Sequence, residues 1–321
     1  MTINSLRPIV FLLAVALALS PRLPKPASAQ SSDVGDTHVQ IAMKNVTYHY
    51  SESIVVHVVR LQGELLPTKP KAIVVFDDKN SFMLALESAE IAISCNALAR
   101  VLNENVLSAS DAPIKNLSIE SRNDQLIIKG KLHQKGDVSF ETTGTLTAEG
   151  DGRIRLHTEH LKAAHFPVKG LMDLLGLDIA RMINTKKIQG ISADKDDLIL
   201  DPEQILPPPH IRGRVSDVRI QGNDIVQIFG AAPAENVVAR QSGNYIAFRH
   251  GDMRFGKLTM HDSDLIMIDM DRGDSFDFYL DHYQDQLVAG YTKSTPDYGL
   301  RAYARDYDKL RHRSLSSHTR K

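Results

Sequence analysis

The sequence predicts an α+β protein: a long, curved antiparallel β-sheet wrapped around one or two amphipathic helices, with an additional β-rich segment towards the carboxy terminus. Three observations predict it. Short segments rich in Val, Ile, Thr and Tyr recur along most of the chain. From Ile114 to Ala163 apolar and polar residues alternate between turn-forming clusters, the pattern of a β-meander. Only around Leu98 and around Leu174 does the apolar spacing change to that of a helix. The order strand, helix, meander, helix, strand gives an α+β protein and not a doubly wound one.

The amino terminus reads as a secretory signal. Arg7 supplies the positive region, Ile9 to Leu19 an apolar stretch, and Ala27-Ser28-Ala29 a small-x-small cleavage site, so the mature chain is expected to begin at Gln30. The apolar stretch is about 11 residues long, and a bilayer span needs roughly 20. A periplasmic or secreted location follows. Formal net charge is −1, which excludes nucleic-acid binding through bulk charge. The single cysteine, Cys95, forms no internal disulfide, so packing and sheet hydrogen bonds must stabilise the fold. Such a cysteine is expected to be a small buried hydrophobe.

Residues 30–37 are short, polar and expected to be disordered. Strands are predicted over His38 to Tyr50 and Ile54 to Leu66, although Val39, Ile41, Met43, Val58 and Leu61 do not keep one alternation throughout. Ala72 to Phe76 and Phe82 to Leu86 read as a hairpin about the polar turn Asp77 to Asn80. Ser94 is placed to cap a first helix, with Leu98, Val101 and Leu102 on one face and Asn103 and Glu104 on the other. The meander follows, and its apolar face needs a cover. The second helix, Val168 to Ile183, offers one through Leu171, Leu174, Leu175 and Ile179. Short strands return from Ile188 to Leu200 and from Ile211 to Phe229, and a last β-rich segment runs from Tyr245 to Tyr291. This divides the chain into a signal (1–29), a disordered start (30–37), a first α+β domain (38–222), a β-rich extension or second lobe (223–308) and a basic tail (309–321).

The motifs of nucleophilic hydrolases, zinc proteases, dithiol redox sites, P-loops and dinucleotide folds are all missing, so no enzyme activity, cofactor or metal is predicted. His157, His160 and His165 lie too close to a strand reading to converge on zinc, because residues three apart on a strand face opposite ways. The run Asp269 to Asp274 has calcium-loop character, but Gly273 falls one place early and Leu280 stands where a bidentate Glu belongs. Asp262 and Asp264 on a strand are expected to share a face and repel. The basic tail is a candidate for peripheral contact with anionic lipid headgroups, set against simple disorder.

In the segment from Ile93 to Leu107, the meander after it, and the segment from His165 to Ile183, the chain resembles the LmeA-like phospholipid-binding proteins of the tubular lipid-binding (TULIP-like) class. The resemblance covers roughly Ala89 to Ile220 and lies in element order and helix pattern. It implies an exported, non-enzymatic carrier of phospholipid or another amphipathic lipid. Leu98, Leu102, Leu171, Leu174, Leu175 and Ile179 would then border an apolar groove for acyl or isoprenoid chains. The strands before Ala72 and the segment after Gly222 depart from a minimal domain of that kind. A cell-envelope scaffold or assembly factor with a solid core is the alternative, and an unrecognised hydrolase a third.

Overall fold

Two long strands at the centre of the main sheet each change phase once. In β1 (Val39–His49) the side chains that join the main core are Val39, Ile41 and Met43, then Val46 and Tyr48. The change falls at Asn45, whose φ is +50°. In β2 (Val55–Pro67) Val56 and Val58 give way to Leu61 and Leu65, and the register against the next strand shifts between Val58 and Arg60. An unpaired residue of this kind bends a strand and tightens its twist. The broken alternation in the sequence is this pair of phase changes, and they lie opposite one another, since Lys44 pairs with Arg60 and Val46 with Val58.

The computed structural model describes residues 38–110, 112, 114–132, 138–163, 189–194, 197–231 and 241–310. The signal, the second helix, His165 and most of the basic tail lie outside them. After β2 come β3 (Val74–Val75), β4 (Phe82–Ser94) and helix α1 (Cys95–Val101). The meander is β5 (Ile114–Arg122), β6 (Gln125–Leu132), β7 (Val138–Ala148) and β8 (Ile154–Ala163), continued by β9 (Ile191–Asp194) and β10 (Asp197–Leu200). A single turn, α2 (Pro202–Ile205), leads to β11 (His210–Arg212), β12 (Val215–Gln221) and β13 (Asp224–Gly230). Then follow β14 (Tyr245–Arg249), β15 (Met253–Phe255), β16 (Leu258–Met260), β17 (Asp264–Asp269) and β18 (Phe276–Tyr279). Helix α3 (Tyr283–Val288) and the hairpin β19 (Tyr291–Ser294) and β20 (Leu300–Ala304) complete the described elements. Among the described residues no helix is long and apolar enough to cross a membrane.

The main sheet runs β12-β13-β4-β2-β1-β14-β17-β20-β19 and is curled. Strands on both sides of Gly222 therefore belong to it. Its two long inner strands change partner along their length. β1 pairs antiparallel with β14 through Lys44, then parallel with β18 from Val46. β4 pairs parallel with β11 over Met83 to Ala85, then antiparallel with β13 from Ser88. Gly63 sits where β2 slips against β4, and a Cβ there would lie 2.1 Å from the Ala85 carbonyl oxygen. The predicted meander is present as a second sheet, β5-β6-β7-β8-β10-β9, antiparallel throughout. The main core joins the inner faces of both sheets, bringing Ile41, Leu61 and Phe229 together with Leu126, Phe140 and Leu156.

The expected hairpin about Asp77 is not formed. β3 pairs in parallel with β15, and β4 pairs with β2. Phe76 is the reason: its ring packs edge-on to Phe248 and Tyr283 and tilts against Phe255, all from the carboxy-terminal half. Asp77 follows it, accepting hydrogen bonds from Gly256 N and the Tyr283 hydroxyl. Asp262 and Asp264 do not share a strand face either. Asp262 lies before β17 at φ +50°, and Asp264 is held by Arg249 and Arg301, each at 2.8 Å.

Candidate functional site

The site is a cavity of about 180 Å³ between the two sheets. Ile41, Met43, Val58 and Leu61 reach it from the main sheet, and Ile119, Ile128, Leu146 and Leu156 from the meander. The phase change at Asn45 matters here. Without the extra residue, either Ile41 and Met43 or Tyr48 and Tyr50 would face away, because side-chain direction alternates along a strand. With it, all four line the cavity.

Helix α1 closes part of the wall. Ser94, the last residue of β4, accepts the Ala97 N–H through its hydroxyl at 3.1 Å, as its place in the sequence predicts. Ala97 and Val101 are buried, and Leu98 and Leu102 line the cavity. After Val101 the helix widens to a π turn over Leu102–Val106, closed by Leu107 N to Leu102 O at 2.7 Å. Asn103, on the polar face, serves β5: its Nδ2 donates to Leu117 O at 2.8 Å and its Oδ1 accepts from Leu117 N at 3.1 Å. That pair replaces ladder bonds where β5 slips against β6 between Lys115 and Ser118.

Of the six residues expected at an apolar groove, Leu98 and Leu102 are therefore placed at the cavity. Leu171, Leu174, Leu175 and Ile179 lie outside the described residues. The larger part of the wall comes from strand residues that the sequence reading did not single out. Among them are Tyr48 and Tyr50, for which the signal was their i, i+2 spacing with Val46. Among the described residues that line the cavity, none is Lys, Arg, His, Asp, Glu or Cys. Its polar members are Tyr48, Tyr50, Thr142, Thr158 and Gln227. Thr142 donates to Glu159 O at 2.9 Å.

A second cluster is acidic. Asp269, Asp271 and Asp306 bring carboxylate oxygens within 4.8 Å of one another. The sequence reading joined Asp269 to Asp271 but had no signal for Asp306, which arrives from beyond β20. All six oxygens are occupied within the protein. Asp269 accepts from Asn244 Nδ2 and Asp271 N, Asp271 from Arg305 Nη1 and Asp306 N, and Asp306 from Asp277 N and Lys309 Nζ. Burial pushes the Asp306 carboxyl up to about 6 against the pull of Lys309, and raises Asp269 as well. This cluster fastens the end of β20 to β17 and β18. His157 likewise turns to Asp197 on β10, at 2.6 Å.

Comparison with protein-family models, with curated proteins and with solved structures found no match.

Proposed function

We propose that the protein is an exported, non-enzymatic lipid-binding protein that holds an acyl or isoprenoid chain in the cavity between its sheets. The observation that carries this reading is the cavity's wall. At about 180 Å³ it exceeds an engineered apolar cavity of ~150 Å³ that stays dry and takes up benzene. Its described lining is hydrocarbon apart from five polar side chains. The described part of this wall offers no imidazole, thiol, amine or carboxylate for acid–base chemistry, which supports a carrier reading over a hydrolase.

The energetics suit exchange. Moving a chain from water into such a wall recovers about 0.8 kcal/mol per methylene, whereas moving it from a bilayer recovers almost nothing, since both surroundings are hydrocarbon. Lipid taken from one membrane is then released to another. The amphipathic helices of the tubular lipid-binding class, one of them α1 with Leu98 and Leu102, belong to this proposal.

Native mass spectrometry of the protein, incubated with phosphatidylethanolamine–phosphatidylglycerol vesicles containing palmitic acid and hexadecanol, tests it. The expected result is an adduct near one lipid per chain, diminished in Leu98→Trp, which fills the cavity with a larger ring. A protein mass free of adduct under these conditions, with the fold intact by circular dichroism, overturns the carrier reading in favour of a scaffold.

A further inference from the structure

Tyr48, on the inner face of β1, and Tyr50, just past its end, stand two residues apart, each nine-tenths buried, and both line the cavity. Their rings meet edge-on at 5.0 Å, and Tyr48 also tilts against Phe278 at 6.0 Å. Among the described residues neither hydroxyl has a hydrogen-bond partner. Neither oxygen is fully enclosed, since the buried atoms without a partner among the described residues are His49 Nδ1, Arg249 Nε and Arg305 Nε, so both hydroxyls are open to an incoming group. Two other buried tyrosines are paired: Tyr283 gives its hydroxyl to Asp77 and Tyr307 to Glu52 at 3.0 Å. Gln227, on β13 across the same cavity, also has an amide with no partner among the described residues.

Three side chains with unused hydrogen-bonding groups in an otherwise hydrocarbon wall ask for a ligand that supplies the partners. The missing cations constrain its charge. No Lys, Arg or His is among the described lining residues, so an ionised phosphate or carboxylate seated there would remain uncompensated. A neutral oxygen does not carry that penalty. Burial also makes both phenols weaker acids, with Tyr50 and Asp281 adding to the effect at Tyr48, so both hydroxyls stay protonated and able to donate.

We propose that Tyr48 and Tyr50 form a recognition pair for a neutral oxygen on the hydrocarbon ligand, a hydroxyl or an ester carbonyl, within the cavity. This rests on the lipid-binding reading above and specifies its substrate class: a long-chain alcohol or ester group inside, with any charged headgroup held outside. The hydroxyls donate to the ligand oxygen, and the ring edges pack on its chain. Gln227 reaches the cavity from the far side of β4 and β2, in the row of Ile91 and Val58, and is available to a second polar group along the same chain.

The test is competitive displacement of the neutral fluorescent probe N-phenyl-1-naphthylamine from the whole protein at pH 8, using decane, 1-decanol and decanoate. The same series is run on Tyr48→Phe, Tyr50→Phe and the double variant. The expected order is 1-decanol ahead of decane by about two- to tenfold, the range of one net hydrogen bond, with decanoate weakest. In the double variant 1-decanol and decane converge while decane itself is unchanged. The phenylalanine variants also keep or raise the thermal midpoint of the ligand-free protein, because no partner is lost. Equal displacement by decane and 1-decanol in the wild type overturns the recognition pair but leaves the apolar cavity standing. A preference for 1-decanol that survives in the double variant likewise overturns it. Failure of the probe and of every competitor to bind overturns the lipid-binding reading itself.

Discussion

Asn45 donates its side-chain amide to Asn244 Oδ1 across 2.8 Å, and Asn244 passes the connection on to Asp269 Oδ2 at 2.7 Å. His57 Nε2 lies 2.9 Å from the remaining oxygen of Asn45. One residue therefore holds the phase change of β1 and ties it to the start of β14 and the end of β17. Asparagine suits both demands, since it tolerates positive φ better than other residues with a Cβ and carries a donor and an acceptor.

Replacing Asn45 separates these roles. Asn45→Ala is expected to cost about 3–4 kcal/mol, combining the backbone penalty of about 1–2 kcal/mol with loss of two hydrogen bonds worth about 1 kcal/mol each. Asn45→Gly keeps the backbone and is expected to lose only the second part. Urea unfolding of both variants measures the difference, and equal losses would show that the backbone conformation contributes nothing.

Gly63 is expected to be intolerant for a different reason. The Ala85 carbonyl stands 2.1 Å from the position of an added Cβ, and backbone cannot withdraw without breaking the β2–β4 ladder. Gly63→Ala should cost about 1–3 kcal/mol, as overpacking does. Gly150, which has nothing within 4 Å of an added Cβ, is the control, and Gly150→Ala should be neutral or gain up to about 1 kcal/mol. Matching results at the two sites would contradict the register described for β2.

The Asp306 carboxyl titrates near 6 in the folded protein because of its burial, against about 3.9 when unfolded. Its folded value is raised, so its contribution to stability is full below about pH 3.9 and is lost as pH rises through 6. Asp306→Asn resembles the protonated form and keeps an acceptor for Asp277 N. The variant is expected to gain stability relative to wild type as pH is raised from 4 to 8, with the change half complete at about pH 5 and levelling off above 6. A difference curve from chemical denaturation that is flat over this range would place the titration elsewhere.

Cys95 opens α1 with no exposed surface, and burial, followed by the charge of Asp224, raises its thiol above the ordinary value. A thiolate-directed aromatic disulfide reagent is expected to leave the native protein unmodified. It should react fully once urea has unfolded the chain, with a labelling midpoint that coincides with loss of β-sheet signal. Rapid labelling without denaturant would mean that α1 leaves the core.

Local pattern made part of this legible. The alternation through Leu126, Ile128, Phe140 and Leu156 gave the meander, and Ser94 with Leu98 and Leu102 gave the capped helix and two residues of the cavity wall. Period and cap chemistry act over a few residues, so they can be read from neighbours. The choice of partner cannot: Val74 and Phe82 look like two halves of one hairpin until Phe76 is seen among rings from Phe248, Phe255 and Tyr283. Tyr48 was equally obscure. Its alternation is broken by Asn45, and the absence of a hydroxyl partner is a property of three-dimensional surroundings alone.

The divided partnership of β1 also orders events in time. Its first edge is satisfied within the next turn of chain, by β2, but its other edge waits for Tyr245 to Arg249 and for Phe276 to Tyr279. Between the end of β2 and the start of β14, roughly 180 residues must emerge, on the order of 10–40 s at ordinary rates of synthesis. Throughout that interval a strand bearing Ile41, Met43 and Val46 presents unpaired amides to any passing chain. A nascent protein of this topology depends on being shielded until its last quarter arrives, and a truncation ending near Gly222 should aggregate where the full chain folds.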